Sequence, residues 1–360
     1  MRKTFALLMT AAVASSLLAG CGGSSGTAAT TAAPAADTAT EAAAEGGEGA
    51  VTPAADAVVL KLGYSTNEED PRAKAAAEFK KEVEEKTGGS VIVETYPSGQ
   101  LGADAALIEA MALDSGTVDI IITDASNFAT YEPKMGISAL PFQFSDFEEA
   151  WAFMDSDIEK EAEDLLLEQN MRVLAHYCNG FRCVTTSDVA VESPADMKGL
   201  LIRTPENPAI MAAMTAMGAN PQPLAFSELY QALQQDTYDA QENPIPVIYS
   251  NNLFEVQKYL SVTNHIYSGM CFTIAETSWN KMSEEQQQIV ADAAVASAEF
   301  NRELNKQQTE DYITELEAKG MTIIEPDLAP FVEATSGVAE SMRDTYGDML
   351  DRLNEWKESR

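Results

Sequence analysis

The chain has 360 residues, 57 of them acidic and 23 basic, for a formal net charge of -34. That balance excludes a nucleic-acid partner, because phosphate binding needs a concentrated basic face, and it leaves no cationic surface for adhesion to anionic lipid. Four cysteines and two histidines, widely scattered, give neither a dense disulfide framework nor the ligand spacing of a dedicated metal site.

The first residues set an address. Arg2 and Lys3 form a short positive region and Phe5 to Leu18 an apolar run, too short for a membrane span and suited to a secretory signal. The run ends in Leu18-Ala19-Gly20-Cys21, which resembles a bacterial lipobox. Residues 1–20 are therefore expected to be a lipoprotein signal peptide and Cys21 the site of lipid attachment. This would hold the protein outside the cytoplasmic membrane, on its outer face or in the periplasm. From Gly22 to Asp56 the chain is Ala, Thr, Gly, Ser and Pro with scattered acids and no Lys or Arg. Such a segment buries too little apolar surface to offset its conformational entropy, so 21–56 is expected to be a disordered tether. Three cysteines then remain, and an odd count leaves at least one free thiol. Cys178 and Cys183 could pair only if Asn179-Gly180 turned the chain sharply.

The body alternates short apolar runs with helical patterns, the signature of an α/β fold with substantially parallel sheets. Val58 to Gly63 reads as a strand, Pro71 to Lys86 as an amphipathic helix stopped by Gly88-Gly89, and Val91 to Tyr96 as the next strand. Leu107, Ile108 and Met111 mark a helix, followed by a buried strand over Val118 to Ile122. Ser145 with Glu148 suggests a capping box, and Arg172 to Tyr177 a strand. Leu200 to Arg203 is a strand, Pro208 to Met217 a helix, Ser227 to Gln234 a helix and Cys271 to Glu276 a strand. Ser283 with Gln286 caps a last helix that runs without Pro or Gly to about Lys319. At roughly 35 residues it would be ~50 Å long, longer than one domain of this size is wide, so it should span two lobes.

Catalytic and cofactor motifs are missing: there is no Gly-x-Ser-x-Gly, no His-Glu-x-x-His, and no Walker or dinucleotide glycine pattern. With no motif for a catalytic group, cofactor or metal, an exported hydrolase would have to use His176 or His265 outside any local pattern. What stands out is a set of hydrogen-bonding residues at predicted strand ends, where α/β folds place ligand contacts. Arg203 closes the run Leu200-Leu201-Ile202, and the next cation is Lys258. Asp124 follows its buried strand, and Arg182 follows Asn179-Gly180. Gln241-Glu242-Asn243-Pro244 follows the helix begun at Ser227, and Phe226 could supply a flat apolar wall. Each also has a structural reading: Arg203 as a surface ion pair, Asp124 as a helix cap, Phe226 as core, Asn243 as a turn residue before Pro244. Taken together, two arginines and an amide offer donors to an anion without a nucleophile or base.

Several of these segments carry a family resemblance. Asn179-Gly180-Phe181-Arg182, Ser193 to Arg203 (with Gly199-Leu200-Leu201-Ile202-Arg203), Ala225 to Gln234, Asp239 to Pro244, Tyr96 to Gly102, Ala139-Leu140-Pro141-Phe142 and the Trp279 region resemble the solute-binding proteins of tripartite ATP-independent periplasmic (TRAP) transporters, in unbroken order from about Val58. The resemblance implies a two-lobed periplasmic-binding-protein-like α/β fold with a long helix spanning both lobes. Lobe 1 would comprise 57–179 plus 269–308, and lobe 2 would comprise 180–268 plus 309–360. It implies a receptor, not an enzyme, that needs no cofactor, closes around a small organic carboxylate and delivers it to the TRAP membrane permease.

By the same resemblance Arg203 pairs with the ligand carboxylate, supported by Arg182 and Asn243. Asp104, Asp124 and Phe226 contact the rest of the ligand, and Ser65 or Asn67 supplies a polar contact from the first lobe. Asp104 and Asp124 favour a sugar acid such as a uronate or sialate, with a C4-dicarboxylate second, since buried carboxylates accept from hydroxyls and repel a second carboxylate. A receptor that presents its ligand to a sensor kinase would use the same pocket.

Overall fold

The computed structural model describes residues 51–360. The expected signal peptide, Cys21 and the tether as far as residue 50 lie outside the described residues. Packing begins before residue 57, since Ala54 N–H donates to the Gly89 carbonyl at 3.0 Å.

Eleven elements lead to the middle of the chain: β1 (Val58–Gly63), α1 (Pro71–Lys86), β2 (Val91–Tyr96), α2 (Asp104–Ala112), β3 (Ile120–Asp124), 3-10 segments at Ala125–Thr130 and Pro133–Ala139, α3 (Phe147–Met154), α4 (Asp157–Leu166), a 3-10 turn at Leu167–Gln169 and the long β4 (Met171–Thr186). The second half holds β5 (Leu201–Thr204), α5 (Pro208–Ala216), β6 (Asn220–Pro223), α6 (Phe226–Gln234), β7 (Ala240–Pro244), α7 (Ile245–Ser250), β8 (Tyr259–Ala275), α8 (Glu276–Trp279), α9 (Glu284–Ala318) and β9 (Thr322–Ile324). Short helices between Ala329 and Glu358 close the chain. None of the described helices is long and apolar enough to cross a membrane.

Local chemistry accounts for the helix ends. Asp70 accepts from Arg72 N–H and Pro71 occupies the first turn of α1, where a missing N–H costs nothing. The expected capping box of α9 is present, with Ser283 and Gln286 bonding reciprocally. The one proposed at Ser145 and Glu148 is displaced by a residue: Asp146 caps α3 by accepting from Glu149 N–H, and the Glu149 carboxylate returns to Ser145. Asp146 stands three residues before Glu149, the spacing at which an N-cap oxygen meets the N3 amide, so it takes the cap.

One nine-stranded sheet runs β2-β1-β3-β8-β4-β7-β5-β6, with β9 beside β8. Its two wings are parallel, β2-β1-β3 on one side and β7-β5-β6 on the other. They are joined through antiparallel pairs made by β8 and β4. The expectation of substantially parallel sheets therefore holds for the wings and fails at the centre. The strands expected at 172–177 and 271–276 are the ends of a 16-residue and a 17-residue strand that pass from one wing to the other.

Asn179-Gly180 is the physical reason the sequence reads as a break. The β4–β8 register shifts between Cys178 and Gly180, and Gly180 has φ +118°, with Asn305 and Pro244 each 3.1 Å from where a Cβ would stand. This is a bulge inside a strand and not a loop. The thiols of Cys178, Cys183 and Cys271 are all free and buried, so the bridge considered for the first two does not form.

One apolar cluster on each wing packs against α9, and a larger one, with Ile121, Phe128, Ile202 and Ala213 among its members, draws on both wings. Leu60, Phe79, Val93, Ile120 and Phe272 pack with Val290, Ala293 and Ala294 from the first half of α9. Leu229, Leu233, Ile245 and Leu260 pack with Leu316 from its end. The 35-residue helix thus serves both lobes. Between its two apolar stretches Ser297, Asn301 and Asn305, at i, i+4 and i+8, are buried against the crossing strand. Tyr177 Oη donates to Ser297 Oγ at 2.6 Å, Cys178 N–H to Asn301 Oδ1 at 2.6 Å, and Asn305 Nδ2 to the carbonyls of Cys178 and Asn179 at 3.1 and 3.0 Å. Those bonds satisfy the backbone groups that the bulge leaves without ladder partners.

Candidate functional site

Strand ends and helix starts from both wings converge on a chamber at the middle of the sheet. The first wing contributes Ser65 and Thr66 after β1, Arg72 from the first turn of α1, Asp104 opening α2, and Thr123, Asp124 and Asn127 at and after β3. The crossing strand β4 contributes Asn179 and Arg182. From the second wing come Arg203 near the end of β5, Phe226 at the start of α6 and Asn243 of β7. Of the residues singled out from the sequence as ligand contacts, Arg203, Arg182, Asn243, Phe226, Asp124, Asp104 and Ser65 line this one chamber, whereas Asn67, the alternative to Ser65, does not and donates instead to the Ser250 carbonyl at 2.7 Å. The inner volume is about 40 Å³, and it adjoins a cleft of about 370 Å³ that shares Asp104, Asn127, Arg203, Pro205 and Phe226.

The two arginines differ in their partners. Arg182, 2% exposed, is bidentate to the fully buried Glu242 through Nε–Oε2 and Nη2–Oε1, the latter at 2.8 Å. It also donates to Asn243 Oδ1 at 3.2 Å and Ser268 Oγ at 3.3 Å, and its Nη1 lies 3.6 Å from Asp124 Oδ2. Burial pushes the Glu242 carboxyl up, yet the Arg182 charge outweighs it and the net position is below the usual carboxylate range. Arg182 is therefore a donor whose charge is neutralised within the protein.

Arg203 is different. It is 3% exposed, and its Nε and Nη2 donate to a single neutral acceptor, the Leu224 carbonyl, at 2.9 and 2.6 Å. Among the described residues no carboxylate lies within ion-pair distance and nothing engages Nη1. Burial pulls this guanidinium down to about 10 against the opposing field of Glu242, and it stays charged at neutral pH. The Phe226 ring centroid lies 5.9 Å from its Cζ, a cation–π wall.

The acids of the first wing form a second pole. Ser65 Oγ donates to Asp104 Oδ2 at 3.1 Å, while Asp104 Oδ1 is buried without a partner among the described residues. Burial holds the Asp104 carboxyl above its usual range, with Asp124 adding to the effect and Arg72 opposing it. Asp124 stands at the N-cap position of the 125–130 segment but makes no capping bond; it accepts from Asn179 Nδ2 at 3.1 Å instead. Asn243 lies within β7, not in a turn, and Phe226 is the first residue of α6.

Sequence reasoning missed Arg72, Asn179 and the Glu242 counter-charge. Arg72 is buried and donates to Asn179 Oδ1 at 3.3 Å and to the Ile122 carbonyl at 3.3 Å. In the sequence it follows Glu68-Glu69-Asp70 and reads as part of a charged, solvated helix start. Glu242 stands in the Gln-Glu-Asn-Pro segment, where only its neighbour Asn243 was assigned a role.

Comparison with known proteins places the chain among relatives of known class. The family model "bacterial extracellular solute-binding protein, family 7" matches residues 62–345. The chain is 35% identical over 273 residues to the 2,3-diketo-L-gulonate-binding periplasmic protein YiaO of Escherichia coli, covering 76% of this chain and 83% of that one. Among solved structures it is similar to a TRAP periplasmic solute-binding protein of Polaromonas bound to D-erythronate, with TM-score 0.79, 32% identity, and coverage of 82% of this chain and 98% of the other. It is also similar to one of Roseobacter denitrificans with bound L-galactonate, with TM-score 0.76, 34% identity, and coverage of 81% and 98%.

Proposed function

The chain belongs to the bacterial extracellular solute-binding proteins of family 7, and on that premise we propose that it is the extracytoplasmic receptor of a TRAP transporter, taking up a sugar acid between its lobes and delivering it to the membrane permease. The observation that carries the ligand class is Arg203: a buried guanidinium with one hydrogen-bonding nitrogen unengaged and, among the described residues, no carboxylate opposite it. A ligand carboxylate would supply the missing counter-charge and accept in-plane donors from the guanidinium. Arg182 and Asn243 would brace it, and Phe226 would cover its apolar side.

The far pole selects against a second carboxylate. Asp104 and Asp124 suit hydroxyls, which donate to them, and would repel the other end of a C4-dicarboxylate. The relatives above carry polyhydroxylated monocarboxylates, which have this polarity. An inner chamber of about 40 Å³ holds only a few waters, so entry of a sugar acid requires the lobes to part. The natural pivot is where β4, β8 and α9 cross between lobe 1 (57–179 plus 269–308) and lobe 2 (180–268 plus 309–360). Anchoring through Cys21 would keep the receptor beside its permease.

A thermal-shift screen with uronates, aldonates, sialate and C4-dicarboxylates tests the reading, since a ligand at 100 times its Kd adds about 2.7 kcal/mol to the folded state. A monocarboxylic sugar acid should give the largest shift. Stabilisation by a dicarboxylate alone, or by none of these acids, overturns the assignment.

A further inference from the structure

Away from the Arg203 chamber, the fold assembles a group of ligands that sequence spacing hides. His176 and Cys271 are directly paired across the β4–β8 ladder. Glu163 lies on the buried face of α4, which packs against β4. One donor atom from each of the three lies within 4.8 Å of the others. Around a tetrahedral zinc ion such atoms stand about 3.4–3.7 Å apart, given metal–ligand bonds of about 2.0–2.3 Å, so small side-chain adjustments would close the site.

Two further features point the same way. His176 Nδ1 contacts Asp155 Oδ1 at 3.1 Å, and Arg302 holds that carboxylate through two bonds of 2.7 Å. A carboxylate on Nδ1 assigns the proton there and directs Nε2 inward at Glu163, the arrangement that orients metal-bound histidines. One turn before Glu163, on the same buried face of α4, Glu159 is 0% exposed and neither of its carboxylate oxygens has a partner among the described residues. Two buried carboxylate oxygens without a partner are costly unless a donor or a cation meets them.

We propose that Glu163, His176 and Cys271 form a site for a borderline-soft divalent cation of the zinc class, with Glu159 as its fourth ligand. Thiolate, imidazole and carboxylate together favour zinc over magnesium or calcium, which take oxygen-rich sets. A groove of about 350 Å³ lined by Asp155, Glu163, His176 and Arg302 gives access to it. Binding exchanges protons for metal without any redox step: the thiol proton, the proton between His176 and Glu163 and any proton on Glu159 pass to solvent. The site would tie α4 to the β4–β8 pair.

The test uses the full chain with Zn2+ in competition with a chromophoric chelator, and with Co2+ as a spectroscopic probe. One equivalent of zinc should bind in the presence of excess Mg2+ and Ca2+, and the cobalt form should show a thiolate-to-metal charge-transfer band. Cys271→Ser should abolish the band and weaken zinc binding at least tenfold. Asp155→Asn, which alters only the positioning residue, should weaken it about 10–100-fold, while Cys21→Ser should change neither. Absence of saturable zinc binding, or of the band in the wild-type chain, overturns the proposal. So does zinc affinity unchanged in His176→Gln, or a band that disappears with Cys21 instead of Cys271. If the Cys271 variant does not fold, the wild-type cobalt spectrum compared with those of Cys21→Ser and His176→Gln decides the matter.

Discussion

Arg182 and Glu242 form a bidentate ion pair with both side chains out of solvent, their charges cancelling within the protein. Of the two arginines that the sequence marks as ligand contacts, only Arg203 has no ion-pair partner among the described residues.

The first prediction concerns that charge. Arg203→Met should weaken sugar-acid binding by about 2–5 kcal/mol, because it leaves a buried ligand carboxylate unpaired; by calorimetry this is about a 30-fold to few-thousand-fold rise in Kd. Without ligand the same variant should melt at or above the wild-type temperature, since a desolvated cation has been replaced by an apolar chain of similar length. An unchanged Kd would remove Arg203 from the site.

Glu242→Gln should act on the fold itself. It leaves Arg182 buried with only Asp124, at 3.6 Å, for a counter-charge, and should cost about 3–5 kcal/mol in denaturant unfolding. The Glu242 pKa is lowered in the folded state, so its contribution is full above the unfolded value of about 4.3 and is lost as pH falls through the folded one. Melting temperatures measured down this acid range should drop less steeply in the variant than in the wild type.

For Asp104 the sign is reversed. Burial raises its pKa in the folded state, so ionisation above that value penalises folding. Asp104→Asn should therefore stabilise the ligand-free protein at neutral pH, and the gain should vanish below the unfolded pKa. Discrimination should suffer at the same time: affinity for a polyhydroxylated acid should fall relative to that for a short acid without hydroxyls. Equal losses for both acids would show that Asp104 does not read the hydroxyls.

Asn305→Ala removes the donor shared by the Cys178 and Asn179 carbonyls. An unfolding loss of about 2 kcal/mol or more is expected from leaving those buried acceptors unsatisfied. Hydrogen exchange should quicken first at the β4 amides around Gly180. Exchange that rises uniformly across the chain would argue against a local role for Asn305.

Much of the architecture was legible beforehand because it depends on neighbours in sequence. The limits of β1, α1 and β2, and the capping box and length of α9, follow from apolar period, Asp-Pro and Ser-x-x-Gln signals and glycine stops acting over a few residues. Strand-end position marked Arg203, Arg182, Asp124 and Asn243, and motif resemblance added Asp104 and Ser65. Arg72 stayed hidden because its burial comes from contacts with Ile122 and Asn179, 50 and 107 positions away. The continuity of β4 stayed hidden because Asn-Gly signals a turn, and only Asn301 and Asn305, more than 120 residues on, supply the bonds that keep the bulge inside a strand.

By itself the sequence determined the alternation of strands and helices, the helix long enough to serve two lobes, and the residue types suited to holding an organic acid. Tertiary structure decided which arginine is neutralised and which is not, because that depends on where Glu242 comes to lie. It also decided that His176 and Cys271 face one another beneath Glu163. Charge compensation and ligand convergence are set by distances in space, between groups that the chain separates by tens of residues.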